Sequence, residues 1–326
     1  MQKINIGIVG GAGYTGGELL RVLLRHPNAN IRFVHSTSSA GELVSKVHAD
    51  LVGDTDLQFT NTLDQNIDLL FLCVGHGDAK KFLASNAINA NVKIIDLSQD
   101  FRLAATASIG DKHFVYGLPE LQKAAIQKAN YIANPGCFAT AIQLGLLPLA
   151  AKGLLKEVHT TGITGSTGAG QGLATTSHFS WRANNIQAYK TLQHQHLNEI
   201  GESLTALQGN QNAAVHFVPW RGDFTRGIFV TSVVDSDLSI EAVYDVYNAY
   251  YEAHPFTHVS KNNIDLKQVV NTNKCLIHIE KQGNKIAIHS VIDNLLKGAV
   301  GQAVQNMNLL FGWEETIGLQ LKANYF

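Results

Sequence analysis

Two short motifs in this sequence have the residue types and spacing for covalent chemistry. The first is Asn134-Pro-Gly-Cys137, which runs directly into Ala139-Thr-Ala-Ile-Gln-Leu-Gly-Leu-Leu147, a helical run. A thiol at a helix start faces unpaired N–H groups and the positive end of the helix dipole, and both favour a thiolate nucleophile. Asn-Pro-Gly just before it makes a sharp, exposed turn. The other two cysteines read as structure, Cys73 inside the apolar run 68–74 and Cys275 inside the alternating run 274–280. The second motif is His194-Gln-His196-Leu-Asn-Glu199, a source of an acid/base near neutral pH. Two histidines two residues apart share a face in extended backbone, ahead of a helical stretch over 197–204. No third ligand stands at metal-binding spacing, so no metal site is expected.

The elements that must position these groups begin at the N-terminus. Residues 4–9 form a β-branched strand, then come glycines at 10, 13 and 16, then the helical pattern 18–25, ended by His26-Pro27, then a second strand over 31–35. Strand, GxxGxxG and helix are the context of a dinucleotide fingerprint. Together these glycines allow a tight turn, close approach of a pyrophosphate to the backbone, and helix–sheet contact, with the phosphates at the helix N-terminus. After the second strand the chain offers His35-Ser-Thr-Ser-Ser-Ala-Gly41 and no carboxylate. The hydroxyls of Ser36 and Ser38 can donate to a 2′-phosphate that an Asp would repel, so NADP is favoured over NAD. Apolar strands at 68–74 and 92–97, with a helix over 77–84, continue a parallel sheet covered on both faces. The loops 75–77 and 98–102 at the strand ends are expected to line the cofactor crevice. A second glycine-rich stretch, Gly162 to Gly172, includes Gly168 and has backbone N–H groups for the nicotinamide side or a substrate phosphate; from composition a surface hairpin fits it equally. A thiolate working with a nicotinamide cofactor suits one reaction: attack on an acyl phosphate, storage as a thioester, and reduction of that carbonyl.

Composition agrees. At 326 residues, 45% hydrophobic and 16% charged, the chain fills two domains with buried cores. With 25 basic and 26 acidic residues and no basic block, it has no cationic stripe for nucleic acid or an anionic membrane. Its apolar runs are strand-length, well below the ~20 residues a bilayer needs. No signal-peptide pattern precedes the first strand, and three cysteines make no disulfide framework, so a cytoplasmic protein is expected.

Nearly end to end, the sequence resembles the N-acetyl-γ-glutamyl-phosphate reductase family of arginine biosynthesis, a relative of aspartate-semialdehyde dehydrogenase. The carrying motifs are Gly10-Gly-Ala-Gly-Tyr-Thr-Gly-Gly-Glu-Leu-Leu20, Asp96-Leu-Ser-Gln-Asp-Phe-Arg-Leu103, Tyr116-Gly-Leu-Pro-Glu-Leu121, Asn134-Pro-Gly-Cys137, Gly165-Ser-Thr-Gly-Ala-Gly170, His194-Gln-His196 and the tail Ile292-Asp-Asn-Leu-Leu-Lys-Gly-Ala-Val-Gly-Gln-Ala-Val-Gln-Asn-Met-Asn-Leu309. The resemblance implies an α/β Rossmann-type nucleotide-binding domain, residues 1–136 with 296–326, and an α+β catalytic and dimerisation domain with a mixed sheet, residues 137–295. It implies Cys137 as nucleophile, His194 as the acid/base with His196 beside it, and NADPH held by Gly10, Gly13, Tyr14, Thr15, Gly16, Ser36, Ser38 and Gly168, with Asn294 near the nicotinamide. Arg102, Asn134 and Glu199 are expected at the substrate, Arg102 on its phosphate, and a homodimer or homotetramer is expected. Strand-like runs at 215–220, 227–234, 274–280 and 285–291 and a helix over 239–251 agree with the second domain. Three positions depart from the family pattern. Asn198 replaces a Pro, Trp220 replaces a His, and residues 36–41 lack an Arg. The first two raise an N-succinyl in place of an N-acetyl substrate as an alternative; an aspartyl phosphate is another.

Overall fold

The structure, a computed structural model, describes residues 3–326, and its contacts divide the chain into two units: Met1–Pro135 with Ala299–Gln320, and Gly136–Gly298 with Leu321–Phe326. Compared with the expected division, Gly136 and residues 296–298 fall in the second unit. So do the last six residues, expected in the first, because Asn324 N donates to Val270 O (3.2 Å) and Asn271 Nδ2 to Lys322 O (3.1 Å).

The first unit runs β1 (Ile4–Val9), α1 (Tyr14–Leu23), β2 (Ala29–His35), α2 (Val44–Val47), β3 (Phe59–Thr60), β4 (Leu69–Leu72), α3 (Asp78–Ser85), β5 (Lys93–Asp96), β6 (Ser108–Ile109), β7 (Lys112–His113), β8 (Val115–Tyr116), α4 (Pro119–Lys128) and β9 (Tyr131–Ala133). Its sheet has the order β3-β2-β1-β4-β5-β9-β8, and each described pairing is parallel. All four β4 residues, Leu-Leu-Phe-Leu, are buried, as both-face coverage demands. The helix expected over 18–25 starts earlier, at Tyr14, because Gly13 already has the extended backbone of an N-cap.

The second unit begins with α5 (Cys137–Ala150) and continues through β10 (Glu157–Thr164), α6 (Phe179–Arg182), β11 (Gln187–Ala188), α7 (His196–Leu207), β12 (Ala214–Arg221), β13 (Ile228–Asp235), α8 (Ile240–Tyr251), β14 (Thr257–Ser260), β15 (Cys275–Gln282) and β16 (Lys285–Ile292). The sheet, β11-β12-β10-β13-β16-β15-β14, is mixed, since β10 runs parallel to β12 and antiparallel to β13. Helix α5 is buried from Phe138 to Ala150 and packs on the sheet, α7 and α8. It survives an internal proline by an outside repair. Pro148 has no N–H for the carbonyl of Leu144, and the Tyr251 hydroxyl of α8 donates to that oxygen instead. The helix that Cys137 opens is thereby held at its proline. The chain then passes through a π-helical turn, Leu296–Val300, into α9 (Gly301–Leu310), which packs on α4 in the first unit.

Candidate active site

In the first unit a cleft of about 420 Å³ opens at the carboxyl ends of the strands, lined by Gly10, Gly13, His35, Ser36, Thr37, Ser38, Cys73, Gly75 and Asp78 among others. Its floor is backbone. Gly10 has φ +81°, and a Cβ there would meet the Cys73 carbonyl oxygen at 2.4 Å, so only glycine fits. At Gly13 the nearest heavy atom to a Cβ is 3.8 Å away; that face is open to a ligand. No side chain caps the N-terminus of α1, which leaves its first N–H groups for an anion. Gly16 plays a different part. A Cβ there would lie 2.6 Å from both Gly10 O and Gly11 Cα, so this glycine packs the helix on its own loop. Tyr14, Thr15 and Gly16, which open α1, are not among the residues lining the cleft, and neither are 98–102. Asp100 is turned inward to accept from Gly77 N (2.6 Å) and Lys80 N (3.1 Å) at the start of α3. Ser36 and Ser38 do face the cleft, their hydroxyls 3.3 Å apart. The open glycine face, uncapped helix and paired hydroxyls fit the pyrophosphate and 2′-phosphate of NADP. Burial pushes the Cys73 thiol strongly up, with Asp96 adding to it, so this cleft cysteine stays protonated and inert.

Arg102 and Asn134, expected at the substrate, are hydrogen-bonded within the first unit. Arg102 donates from Nε to Asn134 O (2.8 Å) and from Nη2 to Leu97 O (3.0 Å). The Asn134 amide donates to Ala299 O (3.0 Å) and accepts from Asn306 Nδ2 (3.1 Å). Both ends of that side chain are already engaged.

In the second unit Cys137 is the first residue of α5, with Gly136 as N-cap and no side-chain cap. Two glycines let other groups close on it. A Cβ on Gly298, in the π-helical turn, would lie 2.9 Å from the Cys137 Cβ. A Cβ on Gly136 would lie 2.3 Å from His196 Nε2, so that imidazole rests on the Gly136 backbone. Gly136 N donates to Glu199 Oε2 (3.1 Å), and Glu199 Oε1 lies 3.8 Å from His196 Nε2. Glu199, expected at the substrate, here bonds the turn that leads into Cys137.

The two histidines do not sit on extended backbone. Gln195 is already helical (φ −56°, ψ −27°) and His196 opens α7, which brings the rings to 4.6 Å at 70°. His194 lies in an aromatic cage of Phe138, Tyr189 and Phe217, with ring centroids 5.5–5.8 Å away. Burial first, and the Lys190 charge second, push its pKa down to about 4, so it is neutral at pH 7. Its Nδ1 accepts the His196 N–H at 3.3 Å, which leaves the ring proton on Nε2. The approach to it is strained, with Lys190 and Leu192 at φ +47° and +60°.

Sequence reasoning missed several groups here. Burial first, with the Cys137 charge next, pushes the Tyr189 phenol up to about 12, and the Arg221 guanidinium stacks on its ring at 4.5 Å. Its only signal was an aromatic five residues before the histidine motif. Asp293, fully buried, accepts from Arg226 Nε and Nη2 (3.0 and 3.1 Å), Asn271 N (2.7 Å), Leu295 N (2.8 Å) and Leu296 N (3.0 Å). It anchors the turn that carries Gly298. Asn294 donates to Thr167 Oγ1 (3.0 Å) and accepts from Gly227 N (2.7 Å), which ties the second glycine loop to the start of β13. That loop is no free hairpin, since Gly165, Ser166 and Thr167 N–H groups bond to the carbonyls of 227, 224 and 225. At Gly168 a Cβ would meet only Thr164 Oγ1 (3.5 Å) and Asn294 Nδ2 (3.9 Å). Among the described residues no cluster of metal-ligating side chains occurs.

A nucleotide cleft on a parallel sheet, with a cysteine opening a buried helix on a mixed sheet, is the makeup of a nicotinamide-dependent dehydrogenase. Comparison with known proteins agrees. Residues 5–129 match the family described as semialdehyde dehydrogenase, NAD binding domain, and 137–294 match semialdehyde dehydrogenase, dimerisation domain. The aspartate semialdehyde dehydrogenase II of Vibrio cholerae, complexed with ASA, superposes with a TM-score of 0.75 at 19% identity, covering 96% of this chain and 99% of that one, a likeness of fold. Among sequences, the N-acetyl-gamma-glutamyl-phosphate reductases of Flavobacterium johnsoniae and Parabacteroides distasonis are each 55% identical, over 99% of this chain and all of theirs. The chain belongs to the N-acetyl-γ-glutamyl-phosphate reductase family, NADP-dependent enzymes within the semialdehyde dehydrogenases.

Proposed function

We propose that the chain reduces an N-acyl-γ-glutamyl phosphate to the N-acylglutamate 5-semialdehyde and phosphate, a step of arginine biosynthesis, through a thioester on Cys137. The observation that carries this reading is the setting of Cys137, an uncapped helix start closed on by two glycine-enforced contacts. The Cys137 sulfur attacks the γ-carbonyl, a C–S bond forms as the C–O bond to phosphate breaks, and the thiol's proton leaves with the phosphate. Gly10, Gly13, Ser36 and Ser38 would hold NADPH, which when bound supplies a hydride for the thioester carbonyl. The oxyanion so formed collapses and expels the sulfur as a thiolate, which takes up one proton from water to restore the thiol for the next turnover.

His194 therefore acts as a neutral donor. With Nδ1 occupied and Nε2 protonated, it offers an N–H to the carbonyl oxygen where negative charge develops. His196 and Glu199 hold the turn at Gly136 in place. The dimerisation domain over 137–294 supports a homodimer or homotetramer, which light scattering after gel filtration tests.

The test runs the reaction backwards, following NADPH formation from N-acetylglutamate 5-semialdehyde, NADP and phosphate. Phosphate-dependent reduction of NADP, together with an acyl adduct on Cys137 when coenzyme is withheld from the acyl phosphate, supports the reading. An adduct on another residue, or NADP reduction independent of phosphate, overturns it.

A further inference from the structure

A buried histidine far from the thiol bears directly on the cofactor cleft. His48 joins the C-terminus of α2 to a short 3₁₀ turn, Ala49–Leu51, and is 5% exposed. Its Nε2 stands 2.8 Å from the carbonyl oxygen of Gly11, inside the glycine loop. A carbonyl only accepts, so this nitrogen carries a proton and donates it. The surroundings fix the imidazole in place. A Cβ on Gly17 would lie 2.4 Å from its Cε1, so the ring rests on the backbone of α1. Phe59 meets it edge-on, with ring centroids 6.2 Å apart. Arg21 of α1 donates from Nε and Nη2 to the two carboxylate oxygens of Asp50, each at 2.6 Å. The segment after His48 is thereby fastened to the same helix.

What this does to the cleft follows from the geometry of one peptide unit. A trans peptide is planar, and its carbonyl and N–H point in opposite directions. Among the described residues no peptide bond is cis. Gly11 O and Ala12 N–H are the two ends of one such unit. With the oxygen turned to His48, the Ala12 N–H points the other way. Ala12 lines the cleft, and Gly11 is not among its lining residues. The amides of Gly10 and Gly11 both donate to His35 O (3.1 and 3.0 Å), whereas among the described residues nothing accepts from Ala12 N. One peptide of the loop is therefore clamped from behind by a side chain and presents a free donor in front. A free amide beside a helix N-terminus suits an oxygen of a pyrophosphate.

We propose that His48 is a positioning residue for the cofactor, holding Gly11 O so that the Ala12 N–H is aimed at the pyrophosphate; this rests on the NADPH reading of the cleft. Affinities are measured on the whole enzyme without turnover. NADPH is followed by its fluorescence, and adenosine 2′-monophosphate, which has the 2′-phosphate and no pyrophosphate, by displacement of NADPH. H48F keeps a ring in the space and removes the donor. G17A leaves the histidine in the chain and pushes its ring off the helix. Each weakens NADPH by about tenfold, the scale of one hydrogen bond to a charged group, while adenosine 2′-monophosphate stays within about twofold. H48Q, which keeps an N–H donor, falls between H48F and the parent. A distortion spread through the cleft would weaken both ligands alike, and that result overturns the proposal. So does an unchanged NADPH affinity in H48F. A parent enzyme that fails to bind NADPH removes the cofactor reading of the cleft, and the role of His48 with it.

Discussion

The cofactor cleft and the thiol centre are built by opposite means. The floor of the cleft is made of main chain. That floor is Gly10, the open face is Gly13, and the anion donors are the uncapped amides of α1, all within one strand-turn-helix segment. The thiol centre is made of side chains gathered from distant stretches, Cys137 and Phe138, Tyr189 to Glu199, Arg221, and the turn from Asp293 to Gly298. A main-chain site tolerates most side-chain changes and fails when a Cβ is added. A side-chain site fails one residue at a time.

The largest effect expected is at the sulfur. Cys137→Ala lowers kcat by more than about 10⁴-fold, the scale set by deleting a covalent nucleophile, while nucleotide titration still shows binding. Cys137→Ala with near-normal turnover would sink the mechanism. Next comes His194→Ala, with a loss of about 10²–10³-fold for a missing oxyanion donor, and His194→Asn, which keeps an N–H, loses less. The pH profile sharpens this. His194 is neutral above about 4, so activity falls only as pH drops through that region. An acid limb near the ordinary histidine value would mean that His194 carries a full proton in turnover. Stability has the same sign. Since the folded pKa lies below the unfolded one, this contribution is complete above the ordinary histidine value and is lost as pH falls from there toward 4, and His194→Gln flattens that part of the acid unfolding curve.

Smaller effects separate glycines within one region. Gly298→Ala pushes a methyl to 2.9 Å from the Cys137 Cβ, with about 10²-fold lost from kcat and little change in nucleotide affinity. Gly13→Ala adds a methyl where the protein leaves space, so thermal unfolding barely moves while KM for NADPH rises about tenfold. Gly16→Ala does the reverse, since its Cβ strikes the loop backbone, and costs about 1–3 kcal/mol of stability. Ser36→Ala with Ser38→Ala has the smallest effect, a few-fold loss of preference for NADPH over NADH in steady-state kinetics.

The same contrast explains what was legible in the sequence. Strand, glycines and helix lie within residues 4–23, so local spacing carried the first sheet and its cleft, and the helix behind Cys137 was visible as an apolar run. Which glycines face ligand and which face protein was not legible, because Gly13 and Gly16 share a motif and differ only in what lies above them. The roles of Asn134, Arg102 and Glu199 depend on Ala299, Leu97 and Gly136, partners that spacing does not reveal. Tyr189 and Arg221 were invisible for a similar reason, since β11 and β12 pair across more than thirty residues of sequence. The extended reading of His194 and His196 failed because α7 begins one residue earlier than its apolar pattern.

The π-helical turn at Leu296–Val300 carries one residue more than a regular turn would hold. Removing a residue there would let the backbone ladder heal into plain α-helix, yet rotate everything before it by roughly 100° about the axis. Gly298 would swing off the thiol, and a neighbour with a real side chain would take its place. The expected mark of such a deletion is a loss of turnover at Cys137, because the close approach of Gly298 to that residue depends on this turn.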